Sequence, residues 1–244
     1  MFDFGNTRLK WGVRNGDGWT TARINNSDPR LMSQNLDREF VGLGVPEQVW
    51  ISSVTSKEST QALCDWIERR WQLAPSVIQS SASCCGVRNT YKQPETLGSD
   101  RWAALVAVRH RFESPACIID CGTAITVDML DKEGSYRGGV IFPGLALSRS
   151  SLVRNTSKLQ IGADEAVNCL ADSTSAGILS GTFTGTVGAI EKIVECQQRR
   201  ADRECSIYVT GGDGEIIAGS LGLQCSVVED LVLQGLEVIS VLDS

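Results

Sequence analysis

The phrases Asp3-Phe-Gly-Asn-Thr7 and Asp120-Cys-Gly-Thr-Ala124 place the same residue types at the same spacing, roughly half a chain apart. In each, a carboxylate at the end of an apolar segment is followed by glycine and then by amide or hydroxyl side chains. The glycine lets backbone N–H groups close on an anion, and the amides and hydroxyls donate to its oxygens. Lys10 adds a positive charge to the first copy, and Thr123 and Thr126 add hydroxyls to the second. A carboxylate beside a phosphate needs a cation between them, so the pattern points to a metal–nucleotide site. A single Asp-x-Gly is usually a plain turn in which the Asp bonds its own backbone. Two copies are better explained by duplication of a nucleotide-binding unit.

A duplicated unit needs two cores, and 244 residues with 42% hydrophobic content can supply them. Two similar halves around a cleft are expected, with boundaries at 1–113 and 114–244. The net charge is -6 and no Lys/Arg run is long enough to track a phosphate backbone, which argues against a nucleic-acid partner. No apolar run approaches the roughly 20 residues of a membrane span, and the start lacks the basic and apolar regions of a signal peptide. A cytoplasmic protein without a membrane partner is therefore expected. The nine cysteines include no C-x-x-C pair and read as reduced, mostly buried small hydrophobes. Adjacent Cys84 and Cys85 read either as redox-sensitive or as packed. His110 is the single histidine, too little for a zinc site or a His-based triad, and it reads as a helix surface residue.

The elements that must carry the turns follow from periodicity. Met1 and Phe2 alone precede Asp3, so the first strand is expected to be clipped or to begin upstream. Asn15-Gly-Asp-Gly18 is a hairpin signal that returns the chain through Trp19 to Ile24. Strands are expected at 49–54 and 75–79, with a helix over 56–71 burying Ala62, Leu63, Trp66 and Ile67. Residues 80–98 show no clear period and read as loop. A helix over 99–112 turns Trp102, Ala103, Val106 and Ala107 inward. The second half repeats the start, with a buried strand at 116–120, a strand pairing back at 125–130, and a third at 136–142. Helices are expected at 145–152 and 174–195, and a strand at 206–210 delivers Gly211-Gly-Asp-Gly214. Segments 215–222 and 227–241 read as a closing helix pair.

The helix from Thr174 carries Gly177, Gly181, Gly185 and Gly188 at near-four spacing. Each costs about 1 kcal/mol against alanine in a helix interior, so something must come close to that face. It is either packed hard on its own sheet or borders a cleft or subunit interface. Asp100 and Arg101 likewise read either as the charged first turn of a helix or as chemical groups.

Taken together, Asp3-x-Gly-Asn-Thr-x-x-Lys10, Gly98-Ser-Asp-Arg101, Asp120-x-Gly-Thr-Ala124, Gly138-Gly-x-Ile-x-Pro-Gly144 and Thr210-Gly-Gly212 resemble the type III pantothenate kinases in order and spacing. The resemblance spans nearly the whole chain. It implies an α/β fold of the actin, sugar kinase and Hsp70 superfamily: duplicated ribonuclease H-like (actin-like ATPase) domains, mixed sheets flanked by helices, and an ATP cleft between them. It also implies ATP-dependent phosphorylation of pantothenate to 4′-phosphopantothenate, the first step toward coenzyme A.

Position by position, the resemblance implies that ATP is bound by Asp3, Phe4, Gly5, Asn6, Thr7, Arg8, Leu9 and Lys10, with Thr123 as a second phosphate contact. Asp3 would lie near the metal–phosphate group, which arrives as ATP with Mg2+. A monovalent cation, potassium or ammonium, would sit at Asp120. Pantothenate would contact Tyr91, Gly98, Ser99, Asp100, Arg101 and Thr174, the last contributed across a homodimer interface that completes the active site. Asp100 would be the general base. Ser99 stands where alanine is more usual, and Ser173 where an Asp often precedes the threonine. The rival functions are another small-molecule kinase or phosphatase of the superfamily, and a regulatory, accessory ATP-binding protein of the same fold. Retention of Asp3, Lys10, Asp100 and Asp120 argues against a pure binding module.

Overall fold

A computed structural model describes residues 1–16, 18–25, 29–154, 167–201 and 204–242. They form two compact units, Met1–Phe112 with Asp230–Ser244, and Glu113–Glu229.

The first unit opens with β1 (Phe2–Phe4), β2 (Arg8–Asn15) and β3 (Gly18–Asn25), an antiparallel meander joined by the expected hairpin. Helix α1 (Pro29–Glu39), β4 (Trp50–Ser53), α2 (Lys57–Trp71) and β5 (Ser76–Val77) follow. The sheet order is β3-β2-β1-β4-β5, with β4 and β5 running parallel to β1. Strand period 2 divides its faces. Phe2, Phe4, Leu9, Trp11 and Ile51 point into one core with Met32, Leu36, Leu63 and Ile67. Phe40 is the hub of that core, its ring centroid 4.5 Å from Trp11, 5.8 Å from Phe2, 5.6 Å from Trp66 and 5.2 Å from Trp71. Ser56 caps α2 by accepting the Ser59 N–H at 3.2 Å, which places the helix start one residue after the expected one.

The segment expected to be loop contains a small hairpin, β6 (Ser83–Cys84) and β7 (Val87–Asn89), then a 3-10 turn over Pro94–Thr96. Helix α3 (Ser99–Arg111) then runs almost entirely buried from Arg101 to Val108.

The second unit repeats the pattern: β8 (Ala116–Cys121), β9 (Ala124–Leu130) and β10 (Ser135–Pro143) make an antiparallel meander. Helices α4 (Leu145–Arg154) and α5 (Thr174–Ala201) lead to β11 (Ser206–Thr210), α6 (Gly214–Ala218) and β12 (Ser226–Val227). Within this unit the order is β10-β9-β8-β11-β12, with β11 parallel to β8 and β12 parallel to β11. That is strand for strand the order and direction of the first unit. Cys117, Ile119, Cys121, Ile125, Val127, Ile207 and Val209 face a core shared with Phe183, Ile190 and Val194 of α5.

The last helix, α7 (Leu231–Leu242), belongs to the first unit. It packs on α3 so closely that a methyl group at Gly235 would stand 1.9 Å from the Ala103 carbonyl oxygen. Glu237 of α7 is buried and contacts both Arg14 of β2 and Arg111 at the end of α3. The closing pair read from 215–222 and 227–241 is thus a short helix of the second unit and a long helix of the first. Of the nine cysteines only Cys64, Cys117 and Cys121 are buried, Cys169 and Cys196 being exposed and the rest half-buried.

Candidate active site

Each unit places its Asp-x-Gly phrase at the end of the first strand of its meander. In the first, Asp3 stands in register with Lys10 of β2 and Ser52 of β4, so these three share one face of the sheet. The chain then turns through Gly5, Asn6 and Thr7, closed by the Gly5 N–H donating to the Arg8 carbonyl at 3.0 Å. Asn6, Thr7 and Arg8 are exposed there. Phe4 and Leu9 are fully buried in the core, so contact between them and a ligand is confined to their backbone. Lys10 Nζ lies 3.4 Å from Asp230 Oδ1, an acidic partner that sequence reading missed because it arrives with α7, over two hundred residues on.

The same face of the sheet receives the start of α3. Ser99, its first residue, is buried, and its hydroxyl meets the Ser52 hydroxyl at 2.9 Å, accepts the Ser53 N–H at 3.0 Å and lies 3.0 Å from the Ser53 carbonyl. The serine found in place of alanine therefore pins α3 to β4. Asp100 follows, its Oδ1 accepting the Arg101 N–H at 2.7 Å. Gly98 makes room for that carboxylate, since a Cβ there would meet Asp100 Oδ1 at 2.5 Å. Arg101 is buried and reaches Tyr91, with Nη1 and the phenol oxygen 3.4 Å apart. Asn89 holds the Tyr91 turn: its Oδ1 accepts the Tyr91 N–H and its Nδ2 donates to the Pro94 carbonyl, both at 3.0 Å. Tyr91, Gly98, Ser99, Asp100 and Arg101 thus form one cluster in the first unit.

In the second unit Asp120 is in register with Thr126 of β9 and Thr210 of β11, on the face opposite α5. Its turn is built from bare backbone. The Gly122 N–H donates to the Ala124 carbonyl at 3.2 Å, and the Gly144 N–H, at the start of α4, donates to the Thr123 carbonyl at 2.9 Å. Gly211, at φ +95, lies against Asp120; a Cβ there would meet Asp120 Oδ1 at 2.5 Å and the Cys121 backbone at 2.6 Å. Thr123 is exposed at the turn. Burial, then the Asp120 and Asp213 carboxylates, push the Cys121 thiol up to about 12, so it acts here as a packing group. Gly144 and Gly211 belong to this cradle although only their motifs, not their roles, are visible in the sequence.

Thr174 opens α5 and is exposed, and Ser173 caps that helix by accepting the Ala176 N–H at 3.0 Å. Serine is among the residues that cap a helix start well. Among the described residues nothing lies within 4 Å of where a Cβ would stand on Gly181, Gly185 or Gly188. Among the described residues, these three glycines of α5 are therefore not packed against the sheet.

The donor set limits which cations the site suits. Among the described residues no group of three or more His, Cys, Asp or Glu side chains is placed to hold a metal. Asp120 presents a hard carboxylate oxygen close to the Gly211 and Cys121 backbone, and the Asp213 carboxylate also bears on Cys121. Also among the described residues, no helix is long and apolar enough to cross a membrane.

Comparison with known proteins shows the family and the fold. A family model described as type III pantothenate kinase matches residues 1–196. A type III pantothenate kinase of Nitrosococcus oceani is 35% identical over 247 residues, covering 97% of this chain and 91% of the relative. Among solved structures, a Campylobacter jejuni protein assigned to the Baf family of transcriptional activators superposes with a TM-score of 0.61 at 18% identity, covering 98% of this chain and 96% of that one. An inorganic polyphosphate/ATP-glucomannokinase from an Arthrobacter species superposes with a TM-score of 0.50 at 12% identity, covering 100% and 98%. At such identities the two structures speak for the α/β kinase fold alone.

Proposed function

Since the chain belongs to the type III pantothenate kinase family, we propose that its two turns and the start of α3 divide the labour of one phosphoryl transfer. The chain is an ATP-dependent pantothenate kinase, producing 4′-phosphopantothenate for coenzyme A synthesis. Asp100 is the general base. It takes the proton from the pantothenate hydroxyl as that oxygen attacks the γ-phosphorus, while the bond to the β–γ bridging oxygen breaks and ADP leaves. Such a transfer asks for position and charge neutralisation more than for covalent help.

The observation that carries this reading is the seat of Asp100. A bonded backbone N–H and a bare Gly98 fix the carboxylate at a helix start. Tyr91, Ser99 and Arg101 around it hold the substrate's polar groups, Tyr91 and Arg101 by their side chains and Ser99 through its backbone. Asp3, Gly5, Asn6, Thr7, Arg8 and Lys10 line the first phosphate turn, with Phe4 and Leu9 supporting it from the core. Thr123 serves the second turn, and Asp120 holds potassium or ammonium, which supplies positive charge beside the phosphates. The reaction takes place in the cytoplasm.

Thr174 reaches the site of a second copy. Gly181, Gly185 and Gly188, whose added Cβ no described atom would approach within 4 Å, support that reading, because glycines in a helix cost stability that a close partner recovers. The test is ADP release with ATP, magnesium and potassium, with and without pantothenate, beside an Asp100→Asn variant. We expect pantothenate-dependent turnover, reduced about 10²- to 10⁴-fold in the variant, the range a positioned base supplies. Faster turnover on a sugar would overturn the substrate, and an undiminished variant would overturn the base.

A further inference from the structure

Cys84 and Cys85 are neighbours in sequence, and neighbours along a strand ordinarily point to opposite faces. Here they converge, with their Sγ atoms 3.1 Å apart. The cause is the hairpin. Cys84 ends β6 opposite Val87, and the two residues between, Cys85 and Gly86, both take positive φ, +49 and +71. This is the two-residue turn that ordinarily takes Asn-Gly, and the left-handed backbone at Cys85 swings its side chain back over Cys84. Both thiols are half-buried, so each can be reached from solvent. His110 fixes the other side of the turn, its Nε2 2.6 Å from the Cys85 carbonyl oxygen.

From this geometry we propose that Cys84 and Cys85 form a thiol–disulfide exchange site, and that its closure shifts the Asn89–Tyr91 turn. The co-reactant is a low-molecular-weight disulfide, RSSR. The thiolate of one cysteine attacks it, forming a mixed disulfide and releasing RS⁻. The second cysteine attacks the mixed disulfide, closing the Cys84–Cys85 bond and releasing the second RS⁻. The protein loses two electrons and two protons, and RSSR gains them as two RSH. Because His110 holds the Cys85 carbonyl, closure strains the turn towards β7, which ends at Asn89. Asn89 in turn holds the Tyr91 N–H and the Pro94 carbonyl, and Tyr91 meets Arg101, so the movement arrives at the first unit's substrate cluster.

The test uses the full chain incubated with oxidised glutathione, blocked with an alkylating agent and cut with trypsin. The peptide from Trp71 to Arg88 contains these two cysteines and no others. Closure makes that peptide lighter by about 2 Da, the mass of two hydrogens, and leaves it unalkylated. Cys84→Ser and Cys85→Ser each stop the closure and retain a glutathione adduct on the remaining thiol. Hydrogen exchange at the Tyr91 amide is expected to rise several-fold on closure, and the KM for pantothenate to rise while that for ATP holds. The kinetic arm alone rests on the substrate reading above, so a chain inactive towards pantothenate leaves the mass and exchange results to decide. Stable adducts on both cysteines of the unmutated chain, or closure without a change in Tyr91 exchange, overturns the proposal.

Discussion

At Gly98 a methyl group would stand 2.5 Å from Oδ1 of Asp100, and at Gly211 the same distance from Oδ1 of Asp120. The two glycines nevertheless protect their carboxylates at different cost. A Cβ at residue 98 meets the end of a side chain that can rotate away, so Gly98→Ala is expected to leave the melting temperature near that of the parent. Its kcat should fall at least about tenfold if Asp100 is the base proposed above, because a misplaced base loses the proximity that makes it effective. Gly211→Ala meets the Cys121 backbone at 2.6 Å and must hold φ +95, a conformation that an L side chain adopts at a cost of about 1–2 kcal/mol. It should lower the melting temperature as well as activity; thermal melts beside steady-state kinetics separate the two cases. At this scale the sequence was informative wherever the chemistry is local. Asp3, Asp100 and Asp120 stand out because turns and helix starts are written in adjacent residues, whereas the Lys10–Asp230 pair and the Ser99 hydroxyl's partners on β4 lie far apart in the chain.

Among the elements, the repeated phrase proves to mark a repeated sheet, β3-β2-β1-β4-β5 in one unit and β10-β9-β8-β11-β12 in the other. Each element with a strong period was legible, including α5, which runs six residues past the expected Glu195 to Ala201. Helix α1 was not, because among its described side chains only the hydrophobics Met32 and Leu36 are buried, Leu31 is exposed, and most of the rest are polar. The β6–β7 hairpin hid for a similar reason, two- and three-residue strands being too short to show a period. Helix α7 was read as a helix, but its place against α3 was not visible. Its Gly235 gives the element-scale prediction. Gly235→Ala pushes a methyl into the Ala103 backbone and should destabilise the first unit by about 1–3 kcal/mol through overpacking, despite alanine's better helix propensity. Denaturant midpoints measure this; an unchanged midpoint would mean that α7 can slide on α3 without loss.

For the whole molecule the decisive surface is the glycine face of α5. Gly185→Leu adds a side chain whose Cβ has no described atom within 4 Å, so helix propensity should stabilise the monomer by about 1 kcal/mol. If a second copy covers that face, light scattering should show dissociation to monomer, together with loss of the pantothenate-dependent turnover to which we propose Thr174 contributes. A variant of unchanged mass and activity would remove the interface reading. By itself the sequence determined that two Asp-x-Gly turns exist, that each carries a carboxylate, and that a helix begins at Ser99, because glycine conformation, capping and strand period are properties of short segments. Only the tertiary structure decided that the turns sit on five strands of matching order in each unit, that Ser99 fastens α3 to β4, that Asp230 meets Lys10, and that Cys84 and Cys85 face each other. Those facts depend on which distant residues the packing brings within a few ångströms, and no local pattern records that.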